Sequence, residues 1–364
     1  FKYFYKGITM TDFKICKNLI SNKCNVYFLA DIGANHDGDI ERAYKLIELA
    51  KESGAHAAKF QNFKAPSIVS KTGFDSMPRQ SHQAKWKKSV YEVYKDASVS
   101  DNWTEKLKEK CQEFDIEYFT SAYDFDSVDH ADPYVEVYKI GSGDITWHEI
   151  LDYTASKGKP MLIATGACSM DEVNLAMDVI MKHTDKICLM QCNTNYTASD
   201  DNFNYINLNV LKKYKEKYPN AILGLSDHTL GHATVLGSIA LGARVIEKHF
   251  TDSNKRDGPD HKFAMNPMTW KSMVDASNEL MLSMGDGIKK IEDNELSSYI
   301  VQRRGLWYQK NLPKGHVIKK TDLKALRPMK EDGYQPYEIE NIIGRALAKD
   351  VTTSEYAKKG DFNV

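Results

Sequence analysis

From residue 26 onward, short apolar runs alternate with longer stretches whose apolar residues recur every three or four positions. The short runs read as strands and the periodic stretches as helices, and their regular alternation signals parallel strands joined by helices. Strands are predicted at 26–31, 55–61, 117–121, 135–140, 160–164, 187–192, 222–227 and 244–250, with helical patterns such as 40–53, 103–113, 170–182 and 233–241 between them. Eight such units over ~250 residues match the size and count of a closed (β/α)8 barrel, whereas an open doubly wound sheet more often stops at about five to seven strands. The predicted fold class is therefore α/β, a TIM barrel, followed by something smaller.

Two stretches break the rhythm. Residues 62–100 carry Lys, Ser, Trp and Tyr without sustained apolar alternation, a length that points to a functional lid or to structure of its own; 85–95 is predicted as a short helix. After Asp286 the pattern stops, and a charged segment leads to short runs and turns around Leu306, Leu312-Pro313-Lys314-Gly315 and Leu326-Arg327-Pro328. The expected organisation is an N-terminal extension (1–25), a barrel catalytic domain (26–288), a linker (289–299) and a small β-rich domain (300–364).

Composition narrows the function classes. Among 364 residues, 49 Lys+Arg stand against 50 Asp+Glu, a net charge of -1 that offers no general attraction to nucleic acid or anionic membrane. No apolar run approaches the roughly 20 residues that span a bilayer, and the start of the chain lacks the charged-then-apolar pattern of a signal peptide. The expectation is a cytoplasmic protein without nucleic-acid or membrane partners. Six cysteines without a CxxC pair, two of them inside the strand 187–192, read as reduced buried thiols.

In a barrel the active site lies at the C-terminal ends of the strands. Those ends carry, in order, Asp31 with Asn35-His36, Lys59 and Gln61, Thr120-Ser121, Lys139 with Ser142, Thr165-Gly166, Asn193-Thr194 with Tyr196, Ser226-Asp227-His228, and Glu247 with His249. A purely structural barrel has no need of a cation, hydroxyl or imidazole at nearly every strand end. A single strand-end lysine is ordinarily a solvated rim charge. Lys59 and Lys139 together, beside the hydroxyls of Ser142, Thr165 and Ser226, suit a small polyanion that carries a phosphate and a carboxylate. The competing reading is a Schiff-base lysine with a depressed pKa. His228 and His249 end adjacent strands, where two neutral imidazoles can share one divalent ion. Asp31, Asp227 and Glu247 are candidate acids, bases or supporting partners, and the turn Asp257-Gly258-Pro259-Asp260-His261 overhangs the mouth.

Six segments in order, Ile32-Gly33-Ala34-Asn35-His36-Asp37-Gly38, Lys59-Phe60-Gln61, Tyr138-Lys139-Ile140-Gly141-Ser142-Gly143, Gly224-Leu225-Ser226-Asp227-His228-Thr229, Glu247-Lys248-His249-Phe250-Thr251 and Gly258-Pro259-Asp260, resemble the signature segments of the sialic acid synthase family. The C-terminal part, from Arg304-Gly305-Leu306 to Leu326-Arg327-Pro328, is similar to the antifreeze-like (SAF) domain of that family. The resemblance implies condensation of phosphoenolpyruvate with an open-chain amino-sugar aldehyde of the N-acetylmannosamine type, assisted by a divalent metal ion, manganese with magnesium or cobalt as alternatives. The products would be a nine-carbon 2-keto acid and phosphate.

By the same resemblance, Lys59, Ser121, Lys139, Ser142, Thr165 and Ser226 would bind phosphoenolpyruvate. Asn193, Thr194, Tyr196 and Asp260 would face the sugar, His228 and His249 would hold the metal, and Asp31, His228 and His249 would be catalytic. Arg327 would reach a partner subunit's barrel in a domain-swapped homodimer.

Three departures stand out. Asp31 is one methylene shorter than the family's usual glutamate, a reach about 1.5 Å less. The prolines usual after Tyr196 and after Ser121 are replaced by Thr197 and Ala122. Because these lie where the sugar is expected, a 6-deoxy-diacetamido hexose, leading to a legionaminic or pseudaminic type of acid, is the alternative acceptor. Outside this class stand a Schiff-base aldolase and, for the C-terminal domain alone, a carbohydrate- or ice-binding module.

Overall fold

The computed structural model describes residues 12–78, 83, 84 and 86–362. The chain divides into two compact units, Phe1–Gly285 and Asp286–Val364.

The first unit is built on eight parallel strands, β3 (Tyr27–Asp31), β4 (Ala57–Asn62), β5 (Glu117–Ala122), β6 (Tyr138–Ile140), β7 (Met161–Ala164), β8 (Ile187–Cys192), β9 (Ile222–Asp227) and β10 (Ala243–His249). They pair in the order β5-β4-β3-β10-β9-β8-β7-β6, so the last strand joins the first, and β5 and β6 lie side by side at the seam. All eight predicted strands form. Helices α1 (Ile40–Glu52), α5 (Trp103–Glu113), α8 (Met170–Ile180) and α10 (Ala233–Ala240) occupy four of the crossovers, as their periodicity predicts. Their starts are written locally: Asp39 caps α1 by accepting from the Glu41 N–H, and Ser169 with Glu172 forms a reciprocal capping box on α8.

Strand parity decides what each side chain does, because successive residues of a strand point to opposite faces. Phe28, Ala30, Ala58, Phe60, Ile140, Ile163, Leu189, Leu225 and Ile246 belong to the apolar layer between strands and helices. Tyr27, Leu29, Ala57, Phe119, Val137, Leu162, Cys188, Met190, Ile222 and Val245 belong to a second cluster. One or two steps further along the same inward parity come Asp31, Lys59, Ser121, Lys139, Cys192, Ser226, Glu247 and His249, and there the interior becomes polar. The second cluster is completed by Phe13, Ile15 and Ile20 from an antiparallel hairpin, β1 (Phe13–Ile15) and β2 (Asn18–Ile20). The hairpin lies within the predicted N-terminal extension, whose residues 1–11 are outside the described ones. Three-residue strands carry too little period to be read from sequence.

Asp227 and Lys248 fall on the outward parity and meet behind the strands rather than in the mouth. Their ion pair is 2.5 Å long and almost fully buried, and Thr229 and Thr234 donate to the same carboxylate. Asp227 is thereby a structural group and not the candidate acid or base that its position in the sequence suggests. Thr120 is likewise turned outward, donating to Asn62. Removing one member of a buried pair leaves an uncompensated charge, so Asp227→Ala is expected to lose about 3–5 kcal/mol. Equilibrium denaturation measures it, and a loss below about 1 kcal/mol would contradict this assignment.

Among the described residues, the irregular stretch after β4 holds three short helices, α2 (Ala65–Ile68), α3 (Lys71–Asp75) and α4 (Val90–Ala97). The short helix predicted from residue 85 starts at Val90, after a Ser89–Glu92 capping box that sets its first turn; Lys85 lies outside the described residues.

The second unit has its own core of Leu306, Tyr308, Leu312, Ile318, Leu323, Ile342, Leu347, Val351, Ala357 and Phe362. Its antiparallel pair is β11 (Gly305–Tyr308) with β12 (Leu323–Leu326), extended by isolated bridges such as Leu312 with Val351. All six cysteines are free thiols. Among the described residues, no helix is long and apolar enough to cross a membrane.

Candidate active site

At the polar end of the barrel the inward-facing side chains form a connected charge array. Lys59 Nζ lies 2.5 Å from Asp31 Oδ2 and 3.9 Å from Glu247 Oε1. Lys139 Nζ lies 3.4 Å from the same Glu247 oxygen, to which Ser226 also donates at 3.2 Å. Glu247 therefore bridges the two lysines. Burial works against the Lys59 charge, but the carboxylates of Asp31 and Glu247 outweigh it and hold the ammonium above its ordinary pKa. An amine kept charged is a poor Schiff-base nucleophile and a good anion ligand.

Beside this array stand the two imidazoles, their ring centres 5.4 Å apart. His228 Nδ1 is 2.8 Å from the Asn193 carbonyl, which fixes a tautomer with Nδ1 protonated and Nε2 free to ligate. Burial first, and then the nearby His228 and Lys59, push His249 down to about 3 against the pull of Asp260, so its imidazole is neutral at pH 7. Tyr196 packs 4.3 Å from the His228 ring and Phe263 4.9 Å from the His249 ring, forming an apolar wall that produces this burial. His249 also lies 3.5 Å from Asp31 through Nε2 and 3.5 Å from Asp260 through Nδ1.

Asp31 Oδ1, Ser121 Oγ, Glu247 Oε2 and His249 Nδ1 are buried here without a hydrogen-bond partner among the described residues. Native interiors leave few such atoms, so four at one mouth mark a place where a polar ligand completes the bonding. Two imidazoles side by side suit a divalent ion that keeps the rest of its shell for water and substrate oxygens. No group of three His, Cys, Asp or Glu side chains with metal-holding geometry occurs among the described residues.

The surrounding cavity, about 520 Å³, is lined by most of the predicted residues: Asp31, Lys59, Ser121, Lys139, Ser142, Thr194, Tyr196, Ser226, His228, His249 and Asp260. Two predicted residues are spent elsewhere. The Thr165 hydroxyl donates to the Met190 carbonyl and accepts from Tyr214, because this hydroxyl bridges β7 to its neighbours. Asn193 donates to the Tyr205 carbonyl and accepts from the Asn195 N–H, tying its own loop together. Beside Thr165, Gly166 places its N–H 2.8 Å from Ser142 Oγ, and a Cβ there would stand 2.5 Å from Thr194, so glycine is required for this approach. Arg327 lies in the second unit, exposed at the end of β12.

Several cavity residues were not singled out from sequence. Phe63, Gln83, Trp86, Val93 and Tyr94 come from the irregular 62–100 stretch, which does furnish a wall of the mouth. Asp144, two residues beyond Ser142, is another; desolvation, opposed by Lys139, pushes its carboxyl up to about 6. A carboxyl whose folded pKa exceeds its ordinary 3.8 contributes stability that is present below pH ~4 and lost as pH rises through ~6. Asp144→Asn is therefore expected to be more stable than the wild type at pH 7.5, by on the order of 2 kcal/mol, and to show no such advantage at pH 4. Denaturation midpoints at the two pH values decide it; an equal offset at both would place Asp144 in water rather than in the mouth.

This fold and this mouth define a (β/α)8 barrel with two lysines, three serine hydroxyls and two imidazoles gathered at the carboxyl ends of its strands. Residues 46–289 match the NeuB family and residues 303–363 the SAF domain. The chain belongs to the NeuB family, the phosphoenolpyruvate-dependent nonulosonic acid synthases, with a SAF domain C-terminal to the barrel. It is 36% identical over 332 residues to the N,N'-diacetyllegionaminic acid synthase of Legionella pneumophila, covering 90% of this chain and 91% of that one. It is 29% identical to the pseudaminic acid synthase of Campylobacter jejuni, covering 93% and 96%. Among solved structures, the N-acetylneuraminic acid synthetase of Leptospira borgpetersenii in complex with citrate is similar with a TM-score of 0.69 and 25% identity, over 79% of this chain and 94% of that one.

Proposed function

We propose that this mouth condenses phosphoenolpyruvate with an open-chain amino-sugar aldehyde and water, giving a nine-carbon 2-keto acid and inorganic phosphate. The observation that carries the reading is the Lys59–Glu247–Lys139 array, with its unpaired buried oxygens, set beside the neutral imidazole of His249. Lys59 and Lys139 supply fixed positive charge for the phosphate and carboxylate, and the Ser121, Ser142 and Ser226 hydroxyls add directional bonds. Held this way, C3 of the enol phosphate forms a bond to the aldehyde carbon, water adds at C2, and phosphate leaves C2.

His228 and His249 would hold a divalent ion, manganese in the first instance, which when bound supplies a Lewis acid that polarises the aldehyde oxygen. Asp31 has one oxygen held by Lys59 and the other without a partner, so Oδ1 is placed to take the proton of the attacking water. Asp260, Thr194 and Tyr196 face the sugar. The Tyr196 and Phe263 rings keep bulk water from the imidazoles, which strengthens every charge interaction inside.

The acceptor is read first as an N-acetylmannosamine-type sugar. A 6-deoxy-diacetamido hexose is the second reading, favoured by the 36% identity to the Legionella pneumophila synthase and by Thr197 and Ala122 where prolines are usual. A homodimer in which Arg327 completes the partner's site is part of the proposal. It is supported by Ile288, Ile291, Leu296, Ile300 and Val301, all exposed in the single chain, since a run of apolar side chains of this kind is what a second copy covers. The test of the substrate is mass spectrometry of products from phosphoenolpyruvate and manganese with each aldehyde in turn. A nine-carbon keto acid from one of them fixes the acceptor, and its absence with all of them refutes the reading.

A further inference from the structure

The turn that carries Asp260 is tied to the loop after β3 by a compact polar network that the reaction itself does not use. His261 is fully buried, with Nε2 3.0 Å from Asp37 Oδ1 and Nδ1 2.8 Å from Thr251 Oγ1. Arg42, one-tenth exposed, donates Nε to the Asn35 carbonyl at 2.7 Å, and Nε also lies 3.0 Å from Asp37 Oδ2. Its two terminal nitrogens grip Asp252 at 2.9 and 2.7 Å, a two-pronged contact to which Arg256 adds from the other side. Asn35 donates to the Phe250 carbonyl at 2.9 Å. His261 to Asp37, Arg42 to Asp252 and Asn35 to the Phe250 carbonyl link residues 35–42 to residues 250–261, while the Arg42 contacts to Asn35 and Asp37 brace the first segment itself.

Asp260 sits where the two segments meet. Its Oδ2 accepts from the Ala34 N–H at 3.2 Å and lies 3.5 Å from His249 Nδ1. The fit is close: Gly33 has φ +49, and a Cβ there would stand 2.9 Å from that same oxygen. A Cβ on Gly258 would stand 2.5 Å from the His261 ring. The carboxylate is thus held from both sides of its own turn, by the residue that follows it and by the loop it touches.

We propose that His261 and Arg42 are positioning residues that clamp the 251–264 turn to the 32–39 loop and thereby set the Asp260 carboxylate against His249. Two planar groups suit this task, because a buried imidazole and a two-pronged guanidinium fix direction as well as distance, which lysine or glutamine cannot. The consequence for catalysis rests on the reading of Asp260 as a sugar-facing residue; the clamp itself does not.

The experiment uses the full-length His261→Gln and Arg42→Lys chains, the second keeping charge and bulk in case the first folds poorly. Amide hydrogen exchange over 32–39 and 251–264 is compared with the wild type, alongside Michaelis constants for phosphoenolpyruvate with manganese and for whichever of N-acetylmannosamine or 2,4-diacetamido-2,4,6-trideoxymannose the wild type turns over. The expected result is faster exchange confined to those two segments, a fall of about a hundredfold in kcat/KM for the aldehyde in His261→Gln, a smaller fall in Arg42→Lys, and an unchanged KM for phosphoenolpyruvate. Unchanged exchange in both segments would overturn the clamp, as would equal losses for both substrates, which mark a general structural role. A wild type that turns over neither aldehyde would sink the functional reading alone, and the exchange result would still decide the clamp.

Discussion

Lys59→Met is expected to lower kcat/KM for phosphoenolpyruvate by about 10²- to 10³-fold, the effect of deleting one preorganised charge-stabilising group from a water-poor site. The same change should destabilise the fold. Lys59 is 2.5 Å from Asp31 and 3.9 Å from Glu247, so its loss leaves two buried carboxylates with Lys139, 3.4 Å from Glu247, as the remaining lysine counter-charge among the described residues. Breaking a buried pair from one side costs about 3–5 kcal/mol. Steady-state kinetics and equilibrium denaturation on the same preparation separate the two effects. Phosphoenolpyruvate turnover within tenfold of the wild type would remove Lys59 from the anion site. Stability unchanged within about 1 kcal/mol would mean that the Asp31 and Glu247 charges are not confined as the geometry describes.

The second large effect concerns the imidazoles. Chelation with EDTA, and separately His249→Gln or His228→Gln, is expected to reduce phosphate release by about three powers of ten, because a Lewis acid at a developing alkoxide supplies several kcal/mol. Manganese should restore the chelated wild type and fail to restore either variant. This result also discriminates between chemistries. A Schiff-base aldolase would ignore EDTA and be trapped on Lys59 or Lys139 by borohydride in the presence of pyruvate. Lys59 is held charged by its two carboxylates, which argues for the chelation outcome.

The barrel was legible because its eight strands repeat a single rule: apolar on both faces low in the barrel, then polar on the inward parity at the carboxyl end. The rule located Asp31, Lys59, Lys139, Ser226 and His249 as strand-end residues, and the structure brings them into one cavity. It was less informative about which polar strand-end residues point inward. Asp227 and Thr120 were grouped with the site, yet each lies one residue out of step with its inward neighbours Ser226 and Ser121, and each bonds behind the strands. Applying the two-residue period strictly would have set both aside and raised Glu247, two residues before His249, to the centre of the array.

Other features had no such signal. The hairpin of Phe13–Ile15 and Asn18–Ile20 is too short to show a period, and its role comes from the barrel interior it packs against. Thr165 and Asn193 end their strands as the pattern requires. Their partners, Tyr214 in the first case and Tyr205 in the second, lie 49 and 12 residues away, beyond any local reading. Asp144 follows Ser142 closely enough to have been noticed, but its raised pKa depends on burial that only the assembled mouth creates. The clamp of Arg42, Asp37 and His261 joins residues more than two hundred positions apart, one half of it inside a segment that reads as a turn.

In the proposed reaction Lys59 and Lys139 hold phosphoenolpyruvate beside His228 and His249 so that it condenses with an aldehyde. The most direct measurement is the stoichiometry of phosphate released to keto acid formed, with manganese, in the presence and absence of the accepted aldehyde. One phosphate per keto acid and no release without the aldehyde are expected. Phosphate released without aldehyde, or keto acid formed from pyruvate with no phosphate at all, would contradict this reaction.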